Sequence, residues 1–183
     1  RLIQAFISAE DKLFYDHFGV DLRALARAVI TNIVNYGSGR RPVGASTITQ
    51  QVTKNFLLTN EVSIDRKIKE AILSLRMERA FTKDQILALY LNEIYLGRGS
   101  YGVAAAALKY FDKSLDQLDL QEMAYLAALP KAPNNYHPIH NRRAAMVRRN
   151  WVLREMQQNG YISQNEAAAA KDMPLQTSGQ SGF

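Results

Sequence analysis

The sequence predicts a mainly α-helical protein that folds as a single domain. Apolar residues recur at helical spacing through most of the chain, and the alternation expected of a half-buried strand is nearly absent. The 183 residues, 47% of them hydrophobic, are enough for one compact core and too few for two. No stretch approaches the roughly 18 consecutive apolar residues that a membrane-spanning helix needs.

The first amphipathic segment is predicted to be a helix over residues 21–36. This segment has an apolar stripe that follows the i, i+3, i+4 rule and consists of Leu22, Leu25, Ala26, Val29, Ile30, Ile33 and Val34. The stripe fits two interpretations, a face buried in the core or a face in contact with a membrane. Glycines and a proline in NYGSGRRPVG (35–44) then break the pattern and predict a mobile loop.

Capping signals mark the starts of the next two helices. Thr47 with Gln50 has the spacing of a capping box, so a helix is predicted to begin near Ser46 or Thr47. Ser63 is placed to cap the following helix. The inward face of that helix is predicted to consist of Ile64, Ile68, Ile72 and Leu75.

The C-terminal half continues the helical pattern. Thr82 with Gln85 predicts another helix start, and Gly97 predicts its end. Further helices are predicted over 103–111, 120–129, 142–158 and 164–171, the last of them capped by Ser163. The domain is predicted to span 1–174, and residues 175–183 are predicted to be a flexible tail or linker.

Charge is concentrated in one part of the chain. The formal net charge is +6, and residues 131–154 contain six basic and no acidic side chains, namely Lys131, Arg142, Arg143, Arg148, Arg149 and Arg154. Such a balance indicates phosphates, nucleic acid or an anionic membrane surface as a partner. Trp151 among these arginines is compatible with binding of single-stranded nucleic acid, but a helix with one buried and one solvated side explains it more simply.

Two classes of site are disfavoured by composition. The absence of cysteine excludes disulfides and thiolate chemistry. His17, His137 and His140 are too few and too scattered to predict a zinc site.

The segment GASTITQQ (44–51) offers a surface suited to an anion. A helix N-terminus has unpaired N–H groups, and the polar heads of Ser46, Gln50, Gln51 and Lys54 are predicted to converge beside it. Simple N-capping would explain the serine or Thr47, but it would not explain the glutamines and the lysine.

The segment RKIKE (66–70) offers a second such surface. If Ser63 is the cap, Arg66 and Lys67 lie in the first helical turn, where the helix dipole disfavours cations by roughly 0.3–1 kcal/mol each. A bound anion would offset that cost. Glu70 shares the face of Arg66, so a solvated face with an Arg66–Glu70 pair is the alternative interpretation.

The segment EDKLFYDHFG (10–19) places acidic side chains beside apolar ones. Glu10 and Asp11 adjoin Leu13 and Phe14, and partial burial there would favour a carboxylate with base character. Structural hydrogen bonding is the simpler interpretation of Asp11 and His17.

Together these three segments and KDQILALYLNEIYLGRG (83–99) resemble, in order, the signature motifs of the peptidoglycan glycosyltransferase domain, glycosyltransferase family 51. That domain occurs in class A penicillin-binding proteins and in monofunctional cell-wall glycosyltransferases. The resemblance runs from about residue 1 to 160. It implies a lysozyme-like helical fold with a large head lobe and a small mobile jaw lobe over about 21–45.

The resemblance implies an inverting polymerisation of lipid II into β-1,4 glycan strands with release of undecaprenyl pyrophosphate. The expected partners are lipid II, the growing glycan chain and the membrane surface, and no nucleic acid. The expected location is the periplasmic face of the bacterial inner membrane, with an N-terminal anchor upstream of Arg1. LAALPKAPNNYHP (126–138) resembles the stretch that follows in bifunctional enzymes, so a C-terminal transpeptidase domain is expected in the full-length protein.

Residue roles also follow from the resemblance. Glu10 matches the general base for the acceptor hydroxyl, and Glu70 matches the glutamate that helps to hold the donor pyrophosphate, with a divalent cation (Mg²⁺ or Mn²⁺) as an optional partner there. Asp11 matches a motif aspartate with a supporting role, and His17 is also predicted to be a supporting residue. The substrate-binding positions are matched by Arg27, Ser46, Gln50, Gln51, Lys54, Arg66, Lys67 and Lys69. The sequence departs from the family pattern at Ala45, where glycine is usual, and at Val62, where arginine is common.

The nearest alternative activity is that of a lysozyme-like hydrolase or lytic transglycosylase. A glycosidase must protonate an alkoxide leaving group with a carboxylic acid that stays neutral near pH 7. Pyrophosphate instead leaves as a stabilised anion, so cations replace much of that protonation. The cations beside Glu70 therefore favour transfer from a pyrophosphate over hydrolysis.

Overall fold

The computed structural model describes residues 1–39, 44–56 and 63–178, and it confirms the mainly α-helical class. The α-helices in these ranges are Leu2–Glu10 (α1), Leu22–Val34 (α2), Ile48–Phe56 (α3), Ile64–Ala80 (α4), Lys83–Glu93 (α5), Val103–Phe111 (α6), Leu120–Ala128 (α7), Arg142–Gln158 (α8) and Gln164–Asp172 (α9). Leu115–Gln117 and Pro133–Tyr136 form short 3₁₀ helices. None of the described helices is both long and apolar enough to cross a bilayer.

The chain divides into two compact units. The first unit consists of Arg1–Lys12 and the chain from Leu91 onward, and the second unit consists of Leu13–Tyr90. The predicted division into head and jaw lobes, with the jaw over about 21–45, stays a prediction.

The core of the first unit lies where α1 packs against α7 and α8. Phe6, Leu126 and Leu153 are fully buried there, and burying a side chain of this size stabilises a fold by about 1.5–3 kcal/mol. Asn159, just after α8, donates a 3.1 Å hydrogen bond from Nδ2 to Ser8 Oγ on α1. These contacts fix the end of α1, where Glu10 lies, against α8.

The first residues of the predicted tail belong to this packed unit. Leu175 and Thr177 are buried, and the Ser178 N–H donates a 2.7 Å hydrogen bond to the Tyr110 carbonyl. Packing therefore continues at least four residues past the predicted boundary at 174, because Leu175 supplies an apolar side chain that the core buries. Residues 179–183 lie outside the described residues.

The helix caps agree with the sequence signals. Ser63 accepts a hydrogen bond from the Arg66 N–H as predicted, and Asp21, for which no cap was predicted, accepts one from the Ala24 N–H. Thr82 pairs with Gln85 and Ser163 with Glu166, each in the reciprocal pattern of a capping box.

One helix end was predicted wrongly. The α5 helix stops at Glu93 rather than at Gly97. Residues 94–102 form a turn in which Leu96 N–H donates to the Ser100 carbonyl and Gly102 N–H donates to the Ile94 carbonyl, both at 2.9 Å. The backbone bonds of this segment are thus satisfied across the turn instead of along a helix.

The inward face of α4 was also predicted wrongly. Ile68, Ile72 and Leu75 are each about half exposed, whereas Arg66, Glu70 and Ser74 are buried. The polar face points inward because α3 packs on it. At this contact Thr53 Oγ1 lies 3.1 Å from Ser74 Oγ. Ser74 Oγ in turn donates a 2.7 Å hydrogen bond to the Glu70 carbonyl.

The apolar stripe of α2 is exposed, which excludes the core interpretation for this part of the structure. Leu22, Ile33 and Val34 are 72%, 69% and 78% exposed, and Ala28 is the buried residue of the helix. Soluble domains seldom leave so continuous an apolar face uncovered unless it meets a partner or a membrane.

Candidate active site

A buried carboxylate, Glu70, is the centre of the site in the second unit. Its side chain is 1% exposed, and Lys67 Nζ lies 2.7 Å from its Oε2 atom. Arg66 Nε lies 3.5 Å from the other carboxylate oxygen, Oε1. This oxygen and Arg66 Nε are buried, and neither has a hydrogen-bond partner among the described residues. The two atoms thus face each other as a long, buried ion pair inside the cluster.

Lys67 also connects α4 to the beginning of α3. Its Nζ atom donates a 3.4 Å hydrogen bond to Ser46 Oγ, and this contact lies at the exposed edge of the site. The structure therefore brings together Ser46, Arg66, Lys67 and Glu70. Two cations beside a serine hydroxyl near a helix N-terminus form a surface suited to a phosphate group.

The predicted capping box at the start of α3 is present. The Thr47 N–H donates to Gln50 Oε1 at 3.0 Å, and the Gln50 N–H donates to Thr47 Oγ1 at 3.1 Å. The same threonine hydroxyl lies 2.6 Å from the Gly19 carbonyl and donates to it. The loop that ends at Gly19 is thus held against the start of α3, next to Ser46.

Gly19 fits a site where no side chain has room. Its φ angle is +89°, and a Cβ atom there would lie 2.9 Å from the carbonyl carbon and oxygen of Ser74. The close approach lets the 13–20 loop rest directly on α4, one turn beyond Glu70.

We expect Gly19→Ala to destabilise the protein by roughly 2–4 kcal/mol, because it combines left-handed backbone strain with a collision against backbone atoms. Gly37→Ala is the matched control, since Gly37 has a φ of +82° but nothing within 4 Å of the place that a Cβ atom would take. That variant should lose only the strain, about 1 kcal/mol. Equal losses in thermal unfolding of both variants would show that the contact with Ser74 does not matter.

Lys69 lies apart from this cluster. Its Nζ atom is 2.6 Å from Asp65 Oδ2, and both side chains are exposed. The hydrogen bond and the negative charge of Asp65 raise the pKa of Lys69. The predicted contact of Lys69 with a pyrophosphate stays a prediction, and this ion pair would have to open for it.

The other predicted substrate-binding residues are placed as follows. Lys54 is exposed in the last turn of α3, and Gln51 is half-buried one turn earlier. Arg27 is exposed on α2. Ala45 is half-buried beside Ser46, and Val62 lies outside the described residues.

Glu10 is the last residue of α1 in the first unit, and its side chain is half-buried. Asp11 is buried and ends the helix, with its N–H donating to the Ile7 carbonyl at 3.0 Å. His17, in the second unit, accepts a 3.2 Å hydrogen bond at Nδ1 from the Gly19 N–H and lies edge-on to Phe14. This contact supports the turn that Gly19 makes.

A charged cluster in the second unit was missed by the sequence analysis. Glu78 Oε1 accepts hydrogen bonds from Thr49 Oγ1 at 2.6 Å and from Lys83 Nζ at 2.7 Å. The lysine also lies 4.5 Å from the centre of the Phe14 ring. Thr49 and Glu78 are 29 positions apart, so no local spacing indicates the cluster. The signal available in the sequence was Thr49, a threonine within GASTITQQ that is not needed for capping and could therefore have been expected to bind another side chain.

The described residues do not fit a metal held by the protein alone. They contain no group of three or more His, Cys, Asp or Glu side chains arranged around a metal position. One oxygen of Glu70 is already paired with Lys67. A divalent cation held mainly by phosphate oxygens of a donor stays a prediction.

Comparison with known proteins identifies the family. A family model described as "Transglycosylase" matches residues 1–157. The chain is 57% identical over 174 residues to penicillin-binding protein 1A of Rickettsia felis, covering 95% of this chain and 22% of that protein. It is 50% identical over 175 residues to penicillin-binding protein 1A of Aquifex aeolicus, covering 96% of this chain and 24% of that protein.

A solved structure is similar as well. The crystal structure of penicillin-binding protein 1A from Haemophilus influenzae superposes with a TM-score of 0.51 at 41% identity, covering 76% of this chain and 18% of that one. The chain thus spans less than a quarter of the length of these curated relatives. The resemblance found in the motifs is confirmed, and the chain belongs to the transglycosylase family, the peptidoglycan glycosyltransferases.

Proposed function

We propose that this chain polymerises lipid II into β-1,4 glycan strands, with inversion at the anomeric carbon and release of undecaprenyl pyrophosphate. The observation that carries the proposal is the buried Glu70 with Arg66 and Lys67 around it, and the link from Lys67 to Ser46. Together these groups supply positive charge and hydrogen-bond donors where a departing diphosphate needs them.

In this proposal Glu70 keeps the two cations in place. Its negative charge offsets their mutual repulsion before the donor binds, and it orients Lys67 toward Ser46. Phosphate oxygens then accept hydrogen bonds from the lysine and the serine. Charge that develops on the leaving diphosphate is stabilised without prior protonation.

Glu10 acts as the general base. Its carboxylate takes the proton from the 4-hydroxyl of the acceptor GlcNAc as that oxygen attacks the anomeric carbon of the donor MurNAc. The carbon–oxygen bond to the diphosphate breaks in the same step, which inverts the configuration. Proton transfer of this kind contributes typically about 10²- to 10⁴-fold to a rate.

The exposed apolar stripe of α2 supports contact with the membrane that carries the lipid substrate. Leu22, Ile33 and Val34 present their side chains to the surroundings, and Arg27 on the same helix is suited to anionic headgroups. We place the reaction at the periplasmic face of the bacterial inner membrane, in a longer protein that also has an N-terminal anchor and a transpeptidase domain.

The test is incubation of the protein with labelled lipid II, with and without a chelator, followed by lysozyme digestion. Polymer that lysozyme degrades supports transfer. Breakdown of preformed glycan with no polymer formed would favour the hydrolase instead. Loss of polymer on chelation alone would show that a divalent cation takes part.

We expect Lys54→Ala to raise the KM for lipid II at least about tenfold while changing stability by less than about 1 kcal/mol, because an exposed lysine contributes little to folding but a cation contributes to anion binding. Lys109→Ala is the matched control, since Lys109 is also exposed in the last turn of a helix, α6. Its KM should be unchanged. A large stability loss in Lys54→Ala with unchanged KM would assign this lysine a structural role.

A further inference from the structure

The position of Glu10 at the end of α1 creates an electrostatic problem. The C-terminal end of a helix carries partial negative charge, which disfavours a carboxylate placed there. The last turn of α1 contains no basic side chain. A base that must be ionised to work therefore needs a cation from another element.

Arg148 on α8 supplies that cation. α8 packs against α1, which brings Arg148 within electrostatic range of the Glu10 carboxylate. Burial lowers the pKa of Arg148, and the negative charge of Glu10 acts in the opposite direction. The charge is held in one place because the guanidinium stacks on Trp151, with its Cζ atom 3.7 Å from the ring centre.

The hydrogen bonds of Arg148 differ from those of its neighbour Arg149. Arg149 is completely buried, and its three guanidinium nitrogens donate to Asn150 Oδ1 at 3.0 Å, the Met173 carbonyl at 2.7 Å and the Lys171 carbonyl at 2.9 Å. Its contacts thus tie α8 to the end of α9. Arg148 Nε, in contrast, is buried without a hydrogen-bond partner among the described residues. Such an arrangement is costly for a purely structural arginine.

Other ionisable groups also lie near Arg148 and Glu10. Tyr136 and Glu155 also counter the effect of burial on the pKa of Arg148. The second helix packed against α1 is α7, whose Glu122 is held by Lys113 at 2.8 Å. Asp11 follows Glu10 directly and adds negative charge, so it cannot take the place of the arginine.

We propose that Arg148 is a positioning residue that keeps the Glu10 carboxylate ionised and oriented for proton abstraction. The assignment rests on the proposed function, because it presumes that Glu10 is the base. Arg148 itself does not touch the substrate. Trp151 acts with it by fixing the plane of the guanidinium.

The test compares Arg148→Met, Arg148→Lys and Arg143→Met with the unmodified protein between about pH 4.5 and 8, a range that spans the ordinary titration of a carboxyl group. Arg143 is exposed on the same helix and serves as the control. Two measurements are made, the pH profile of kcat/KM for lipid II polymerisation and the titration of the Glu10 carboxyl carbon by ¹³C NMR in glutamate-labelled protein, assigned with Glu10→Gln.

In Arg148→Met the acid limb of the profile and the Glu10 titration should both move to higher pH. At the acid end of the range kcat/KM should fall by up to about tenfold, since loss of an adjacent opposite charge raises the pH at which a carboxylate ionises. The KM for lipid II should stay within about twofold, and Arg148→Lys should recover much of the loss. Arg143→Met should leave both curves in place.

Three results would overturn the proposal. A Glu10 titration that is the same with and without the Arg148 charge would exclude the electrostatic role. A uniform fall in activity at every pH, together with a lower melting temperature, would make Arg148 structural. A raised KM with unchanged kcat would make it a substrate contact. If the unmodified protein forms no polymer, the proposed function fails, while the NMR titration still decides whether Arg148 controls Glu10.

Discussion

Replacing Glu10 with Gln should abolish glycan polymerisation, with a fall in kcat of at least about 10³-fold. Glutamine keeps the size and hydrogen-bonding reach of the side chain but cannot accept a proton from the acceptor hydroxyl. The melting temperature should fall by no more than about 5 °C, because Arg148 loses a charge partner but Glu10 itself is half-buried at the end of α1, outside the core. The measurement is turnover of labelled lipid II alongside thermal unfolding and donor-binding titration.

The control for this variant is Glu93→Gln. Glu93 is likewise the last residue of a helix, α5, and its side chain is exposed. The Glu93→Gln protein should polymerise lipid II at the normal rate. Normal turnover by the Glu10→Gln protein would remove Glu10 from the mechanism, and with it the role proposed for Arg148.

Replacing Glu70 with Gln should cost both activity and stability. The change leaves Arg66 and Lys67 next to each other without their counter-charge, and the Glu70–Arg66 part of the cluster is buried. Breaking a buried pair by removing one partner costs several kcal/mol, and we expect about 2–4 kcal/mol here because Lys67 is half exposed. The corresponding fall in melting temperature is about 5–10 °C for a protein of this size. Activity should fall at least about 10²-fold, since the cations lose their placement around the diphosphate.

Asp65→Asn provides the comparison on the same helix. Asp65 pairs with Lys69, and both side chains are exposed. Its removal should leave both the melting temperature and polymerisation nearly unchanged, because exposed ion pairs contribute little. If Glu70→Gln and Asp65→Asn changed the melting temperature and the activity equally little, burial would not be what distinguishes Glu70 from Asp65.

Local signals predicted the starts of the helices well. Ser63, Thr47 with Gln50, and Thr82 with Gln85 all form the hydrogen bonds that their spacing indicates. A cap is a contact between residues three positions apart, so the sequence contains all the information it needs.

The direction in which a helix faces was harder to predict. On α4 the apolar spacing of Ile68, Ile72 and Leu75 is regular, yet these residues are half exposed and the face with Glu70 is buried. Periodicity identifies the two sides of a helix, but the packing of α3 through Thr53 and Ser74 decides which one is covered. That contact joins residues 21 positions apart and leaves no trace in local spacing.

The motifs predicted the cluster of Ser46, Arg66, Lys67 and Glu70, but not the supporting contacts. The Glu78 carboxylate with Thr49 and Lys83 depends on how separate helices meet. The stacking of Arg148 on Trp151 lies within one helical turn. The sequence indicated a basic helix face there. It did not indicate which carboxylate Arg148 would act on, because Glu10 lies on another helix.

The capping box of α3 limits how Gln50 would take part in the proposed donor binding. Its oxygen is engaged by the Thr47 N–H, so rotation of the amide by half a turn would break the cap and set two donors against each other. In the proposed site the side chain would therefore offer only its NH₂ group, which suits hydrogen-bond acceptors such as phosphate oxygens and not donors. We therefore expect a replacement of Gln50 to weaken the start of α3 and the proposed donor binding together.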